Sequence, residues 1–175
     1  GVGEITWAPV HNNMDGKWTI SVDGISARGR GVCQQGCSAL VDTGTNMLAA
    51  TPQVARALRE AAPGCGDHFT FEVAGRGFKV PVREVAVVEK GKCKLAVMEM
   101  AEGDGPDLIL GVPFLQGKLA LFDYDKKRVG LATLGAADKT DRISSLGLRG
   151  HMTPRQAPVE EGDFVTIALS KPAHT

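Results

Sequence analysis

Turn-forming residues cut this 175-residue chain into apolar runs too short for anything but β-strands, with one exception. Residues 4–10 alternate and end near a proline. Trp18–Val22 alternates again and meets Asp23-Gly24, a dipeptide suited to a tight turn with positive φ. Ile25–Gly31 is therefore expected to return as the second arm of a hairpin. Ser38–Val41 is a short apolar strand. Phe69–Val73 and Phe78–Val82 flank a turn at Gly75-Arg76-Gly77, and Val85–Val88 and Leu95–Met98 flank a solvated hairpin tip at Lys90–Lys94. Asp104-Gly105-Pro106 precedes Leu108–Gly111, and Leu119–Asp123 and Arg128–Ala132 flank a turn at Tyr124–Lys127. The exception follows Thr51. That residue can cap a helix, Pro52 suits its first position, Val54, Ala57, Leu58 and Ala61 recur at helical spacing, and Pro63-Gly64 stops it.

These signals predict a mostly β domain over residues 1–135, with one or two short helices. Beyond it the periodicity fades. Residues 136–175 read as an extended C-terminal tail, bound to a partner or to the domain's own surface, with one strand-like run at Phe164–Leu169.

Composition narrows the function classes. Hydrophobic residues at 43% and charged residues at 23% are enough to bury a core. Twenty basic residues balance twenty acidic ones, so the basic excess of a nucleic-acid binder is missing. The longest apolar run, around Leu108–Val112, is far too short to cross a bilayer. The chain opens at Gly1 without a charged-then-apolar leader, so any targeting segment is expected upstream or already removed. The four histidines are scattered and no Cys-x-x-Cys pair occurs; no metal or other cofactor is expected. The four cysteines are compatible with two disulfides or with four buried thiols. Two bridges would imply folding in an oxidising compartment, whether secreted, vacuolar or otherwise lumenal.

One motif carries chemistry. Asp42-Thr43-Gly44-Thr45 follows directly on the strand Ser38–Val41. Asp42 would sit at the end of a buried strand, at the mouth of a loop. Gly44 lets the backbone turn tightly and approach the carboxylate with its N–H, and the hydroxyls of Thr43 and Thr45 can orient the loop. Such a loop needs a wall to cross against, and the apolar strand Leu108-Ile109-Leu110 ending in Gly111 provides one.

Together these motifs resemble one lobe, the C-terminal one, of a pepsin-like aspartic protease. Ala39–Thr45 is similar to that lobe's active-site loop, Leu108–Gly111 with Phe114 to its apolar-apolar-Gly element, and Leu121–Ala132 to its closing hairpin. Trp7–Val10 and Trp18–Val22 are similar to its opening strands. The resemblance implies a small disulfide at Cys33–Cys37, ahead of the active-site loop, and a larger one at Cys65–Cys93. It covers roughly residues 3–134.

The resemblance also implies a mechanism. Two aspartates, one per lobe, hold a water and share a proton, because two like charges so close cannot both ionise. One acts as base toward the water and the other as acid toward the peptide carbonyl. Asp42 would be one of the pair. Gly44 and Thr45 would donate to it, Thr43 would bond across to the other lobe, and Asn46 would border the substrate. This chain has a single Asp-Thr-Gly, and its only tyrosine, Tyr124, lies in the closing hairpin rather than in a flap. Asn46 stands where the family usually has Ser or Thr, and Val112 where an acidic residue is common. The expectation is an endopeptidase lobe, active on peptide substrates only with a second lobe from another chain or copy. The alternative is an inactive, protease-derived accessory subunit. In either case the partners, a second lobe or other protein subunits, would dock through the exposed interlobe sheet and the 136–175 tail.

Overall fold

Short strands with alternating burial can close a core only by stacking several sheets, and the described residues do so. The computed structural model describes residues 1–11, 16–62 and 64–135, and the backbone of 164–168. Five strands form the sheet that holds the Asp-Thr-Gly loop: β2 (Thr19–Val22), β5 (Cys37–Val41), β6 (Leu48–Ala50), β11 (Val97–Glu99) and β12 (Leu108–Leu110), ordered β11-β6-β12-β5-β2. A second sheet joins β3 (Gly24–Ala27), β4 (Arg30–Val32), β7 (His68–Val73) and β8 (Arg76–Pro81) in the order β4-β3-β7-β8. A third runs β1-β14-β13-β15, from β1 (Thr6–Pro9), β13 (Lys118–Asp123), β14 (Arg128–Thr133) and β15 (Phe164–Ala168). β9 (Ala86–Glu89) and β10 (Lys92–Leu95) make a separate hairpin. Two helices, α1 (Pro52–Ala61) and α2 (Val112–Leu115), and one 3₁₀ turn (Val82–Glu84) complete the described elements. The mostly β lobe with one or two short helices is thus what forms.

Phe69, Phe71, Phe78 and Phe114 are fully buried with Ile20, Ile25, Leu58, Leu108 and Leu131. Burying each such side chain is worth about 1.5–3 kcal/mol. Phe114 meets Phe71 and Phe78 edge-on, at 5.3 and 6.5 Å between ring centroids.

The hairpin expected at Asp23-Gly24 does not form. β2 pairs with β5, and β3 pairs with β4 and β7. The chain crosses here from one sheet to the next. The Asp23 N–H goes to the Glu72 carbonyl at 2.8 Å, and Ile20, Val22, Ile25 and Ala27 all stay buried through the corner. The tight turns lie instead at Arg28-Gly29, Ala74-Gly75 and Lys90-Gly91, where both residues have positive φ. This is the type I′ signature, with a non-glycine in the strained first place. Arg76 and Gly77, expected in a turn, are already in β8.

The helix begins as expected, but Thr51 caps it only by position. Its carbonyl takes the Ala55 N–H, its own N–H goes to Asp107, and its hydroxyl makes no cap bond. The buried stripe is Ala55, Leu58 and Ala61, with Val54 only half-buried. Both implied disulfides are present, Cys33–Cys37 and Cys65–Cys93, with Cα atoms 5.4 and 5.5 Å apart. In the third sheet, Ile5 and Trp7 lie over Gly130, where a β-carbon would meet both side chains at 2.9 Å, and Arg128 stacks 3.9 Å from the Trp7 ring. Leu119 and Ala132 are buried on that face. Apart from β15, the tail expected at 136–175 lies outside the described residues.

Candidate active site

β5 and β6 are consecutive in the chain but are not neighbours in the sheet. β12 lies between them, parallel to β5 (Leu40 beside Ile109) and antiparallel to β6 (Ile109 beside Ala49). The connection, residues 42–47, must therefore straddle the end of β12 in a ψ-shaped loop. Two backbone bonds seat it there and a third closes the loop on itself. The Asp42 N–H goes to Leu110 O at 3.2 Å, the Val112 N–H to Thr45 O at 2.8 Å, and the Thr45 N–H to Asp42 O at 3.4 Å. Gly111 is the point of closest approach. A β-carbon there would overlap the carbonyl oxygens of Thr45 and Met47, closer than real Cβ atoms come to backbone.

This seating presents one carboxylate. Gly44 N–H donates to Asp42 Oδ1 at 2.9 Å, and Thr45 Oγ1 donates to Asp42 Oδ2 at 2.5 Å. Each oxygen is thus held by a donor from the same loop, which fixes the plane of the acid. Gly44 does not adopt a positive φ. Its value lies in proximity, since a β-carbon there would stand 3.3 Å from Oδ1. Asp42, Thr43 and Thr45 are half-buried, and Gly44, Asn46 and Met47 are exposed along the rim. The hydroxyl of Thr43 is unpaired among the described residues.

Two further residues brace the site and carried no sequence signal beyond a serine opening one apolar strand and an aspartate after a proline. Ser38 and Asp107 tie the starts of β5 and β12 together. The Ser38 N–H and hydroxyl reach Asp107 Oδ2 at 2.8 and 3.1 Å, and the Asp107 N–H reaches Ser38 Oγ at 3.0 Å. Behind Asp42, Val41 N–H binds Trp18 O at 2.9 Å, and the Trp18 ring packs edge-on against Phe122 and Tyr124. A shallow cleft between Cys65, His68, Lys79 and Arg83 includes no residue of the loop. Among the described residues no cluster of His, Cys, Asp or Glu is arranged to hold a metal, and no helix is long and apolar enough to cross a membrane.

A ψ-loop that offers an Asp-Thr-Gly carboxylate over an apolar-apolar-Gly strand defines the lobe of an aspartic protease. The chain belongs to that family: the model described as Eukaryotic aspartyl protease matches residues 2–134. Curated relatives include gastricsin of Suncus murinus, 32% identical over 152 residues, which are 75% of this chain and 39% of that protein. The pregnancy-associated glycoprotein of Equus caballus is 30% identical over 154 residues, 75% of this chain and 39% of its own length. Pepsin A of Bos taurus is 28% identical over 149 residues, 74% of this chain and 40% of its own. The chain therefore spans about two fifths of the length of the relatives it matches.

Proposed function

We propose that this chain is the C-terminal lobe of an aspartic endopeptidase and supplies Asp42 as one of two catalytic aspartates, acting only when a second lobe faces it. The observation that carries this reading is the carboxylate itself. It is oriented by Gly44 and Thr45, half-buried, and among the described residues it has only those two partners, both from its own loop. A single carboxylate can hold a water but cannot also supply the acid that protonates the substrate carbonyl. With a second carboxylate beside it, one proton is shared between the two and the roles divide. Thr43, on the loop beside Asp42, would bond across to the facing lobe, and Asn46 and Met47, exposed beside it, would border a peptide substrate. Support for the family comes from residues 2–134. The second lobe would come from another chain, or from an identical copy in a two-fold pair. The two disulfides fit folding in an oxidising compartment, which we take to be secretory or vacuolar.

The test is acid proteolysis. The purified chain as a single lobe should be inactive, and the chain assembled with a second lobe should cleave a denatured protein at low pH. That activity should be blocked by a statine-type peptide and reduced by about a thousandfold or more in Asp42→Asn. Cleavage that persists in Asp42→Asn would remove Asp42 from the reaction. A second reading, an inactive accessory lobe, is favoured by the departure at Asn46. It predicts no proteolysis in any assembly.

A further inference from the structure

The run at Phe164–Leu169 plays no part in the site at Asp42, yet it has a definite place in the fold. As β15 it pairs antiparallel with β13 along five residues, Phe164 opposite Asp123 and Ala168 opposite Leu119. The other side of β13 is held by β14, so β15 takes the edge that is otherwise open. Its pattern suits that place. Val165 and Ile167 hold the register positions opposite Phe122 and Ala120, both core residues, and Thr166 falls opposite Leu121. β-Branched residues at these three positions favour a strand.

β13 lacks the usual protections of an edge. Between Lys118 and Asp123 it reads Leu-Ala-Leu-Phe, with no proline and no charge in the middle. The two terminal charges are both buried and engaged. Lys118 Nζ donates to the carbonyls of Phe114 and Lys79, and the Asp123 carboxylate takes Arg128 Nε at 2.8 Å. A bare edge of this kind would pair with the next strand it meets.

We propose that β15 is a built-in edge cap: it keeps the lobe monomeric by filling the edge of β13, and when it leaves, β13 pairs antiparallel with β13 of a second copy. Two copies can pair in this way with their faces matched when a two-fold axis passes through Ala120 or Leu121, and in neither register do like charges meet. Because the cap belongs to the same chain, it acts at a local concentration that a dilute second copy does not reach. The pairing itself rests on strand register alone. Its link to activity rests on the reading of Asp42 above, in which a second lobe must face this one.

The experiment compares the full chain with a Val165→Pro/Thr166→Pro double variant by sedimentation equilibrium. Successive N–H groups of a strand face opposite sides, so of two consecutive prolines one always removes an N–H directed at β13. The full chain should be monomeric. The variant should dimerise, with a dissociation constant lower by about tenfold or more, and an added peptide spanning residues 162–170 should return it to monomer. A variant that stays monomeric, or a dimer that the peptide does not dissolve, overturns the proposal. Amide-exchange protection in β7 and β8 reports that the variant is folded; if it is lost, the variant Val165→Gly/Ile167→Gly, which lowers strand propensity without proline, carries the same test. None of these readouts involves proteolysis, so a capped but inactive lobe is distinguished from an active lobe without a cap.

Discussion

Two buried charges at opposite ends of β13 each make stability rise with pH, one in the alkaline range and one in the acid range. Lys118 is buried, with an ammonium 4.9 Å from the centre of the Phe114 ring, and burial pushes its pKa down from 10.5 to about 8. Between those values the folded chain is neutral at this site while the unfolded chain still binds the proton. Stability should therefore rise with pH across that window, by about 3 kcal/mol in total. The Asp123 carboxyl is held below its ordinary range by the Lys126 backbone N–H and by Arg128. Its contribution is present above the ordinary carboxylate pKa and is lost as pH falls through the lowered value. The check is Lys118→Met. Chemical unfolding from pH 8 to 10.5 should show the wild type gaining on the variant, whereas equal slopes would mean that the amine is not buried as described. Neither residue was legible as special, because burial of a lysine depends on what α2 and β8 bring to it. Asp42 was legible, because its donors lie two and three residues away and the spacing itself places them.

At the scale of elements, strands were easier to read than their pairing. Nearly every apolar run became a strand, since alternation is local. The Asp23-Gly24 hairpin failed because Asp-Gly here marks a corner between sheets, where four buried side chains outweigh a favourable turn dipeptide. The real hairpin turns have Arg, Ala and Lys before glycine, choices that local propensity disfavours and the ladders on either side enforce. Ala74, at φ 48°, is the clearest case. Replacing it with Asn or Gly should stabilise the lobe by about 0.5–1 kcal/mol through relief of the left-handed backbone. A denaturant midpoint that fell instead would show that the methyl group has a packing role. Gly111 is the opposite kind of case. It needs no unusual φ, only the absence of a side chain where the ψ-loop crosses, so its role is visible only once β12 is seen between β5 and β6.

For the whole molecule, the Cys65–Cys93 bridge spans 28 residues and ties the segment after α1 to the β9–β10 hairpin, whereas Cys33–Cys37 spans only 4. Chain entropy favours the longer closure, at about 3–4 kcal/mol against about 2 kcal/mol. Cys65→Ser with Cys93→Ser should accordingly lower the unfolding free energy more than Cys33→Ser with Cys37→Ser, and the reverse order would indicate that packing rather than loop closure dominates. The sequence by itself determined the strand-rich class, the acid at position 42 with its two donors, and the family, because each rests on neighbours in the chain. Only the tertiary structure decided that β12 separates β5 from β6, that Ser38 and Asp107 pin the site, that a lysine lies buried under Phe114, and that β15 closes the edge of β13. Those contacts join residues far apart in the chain, and such pairs are selected by the packing of a common core, which no local pattern records.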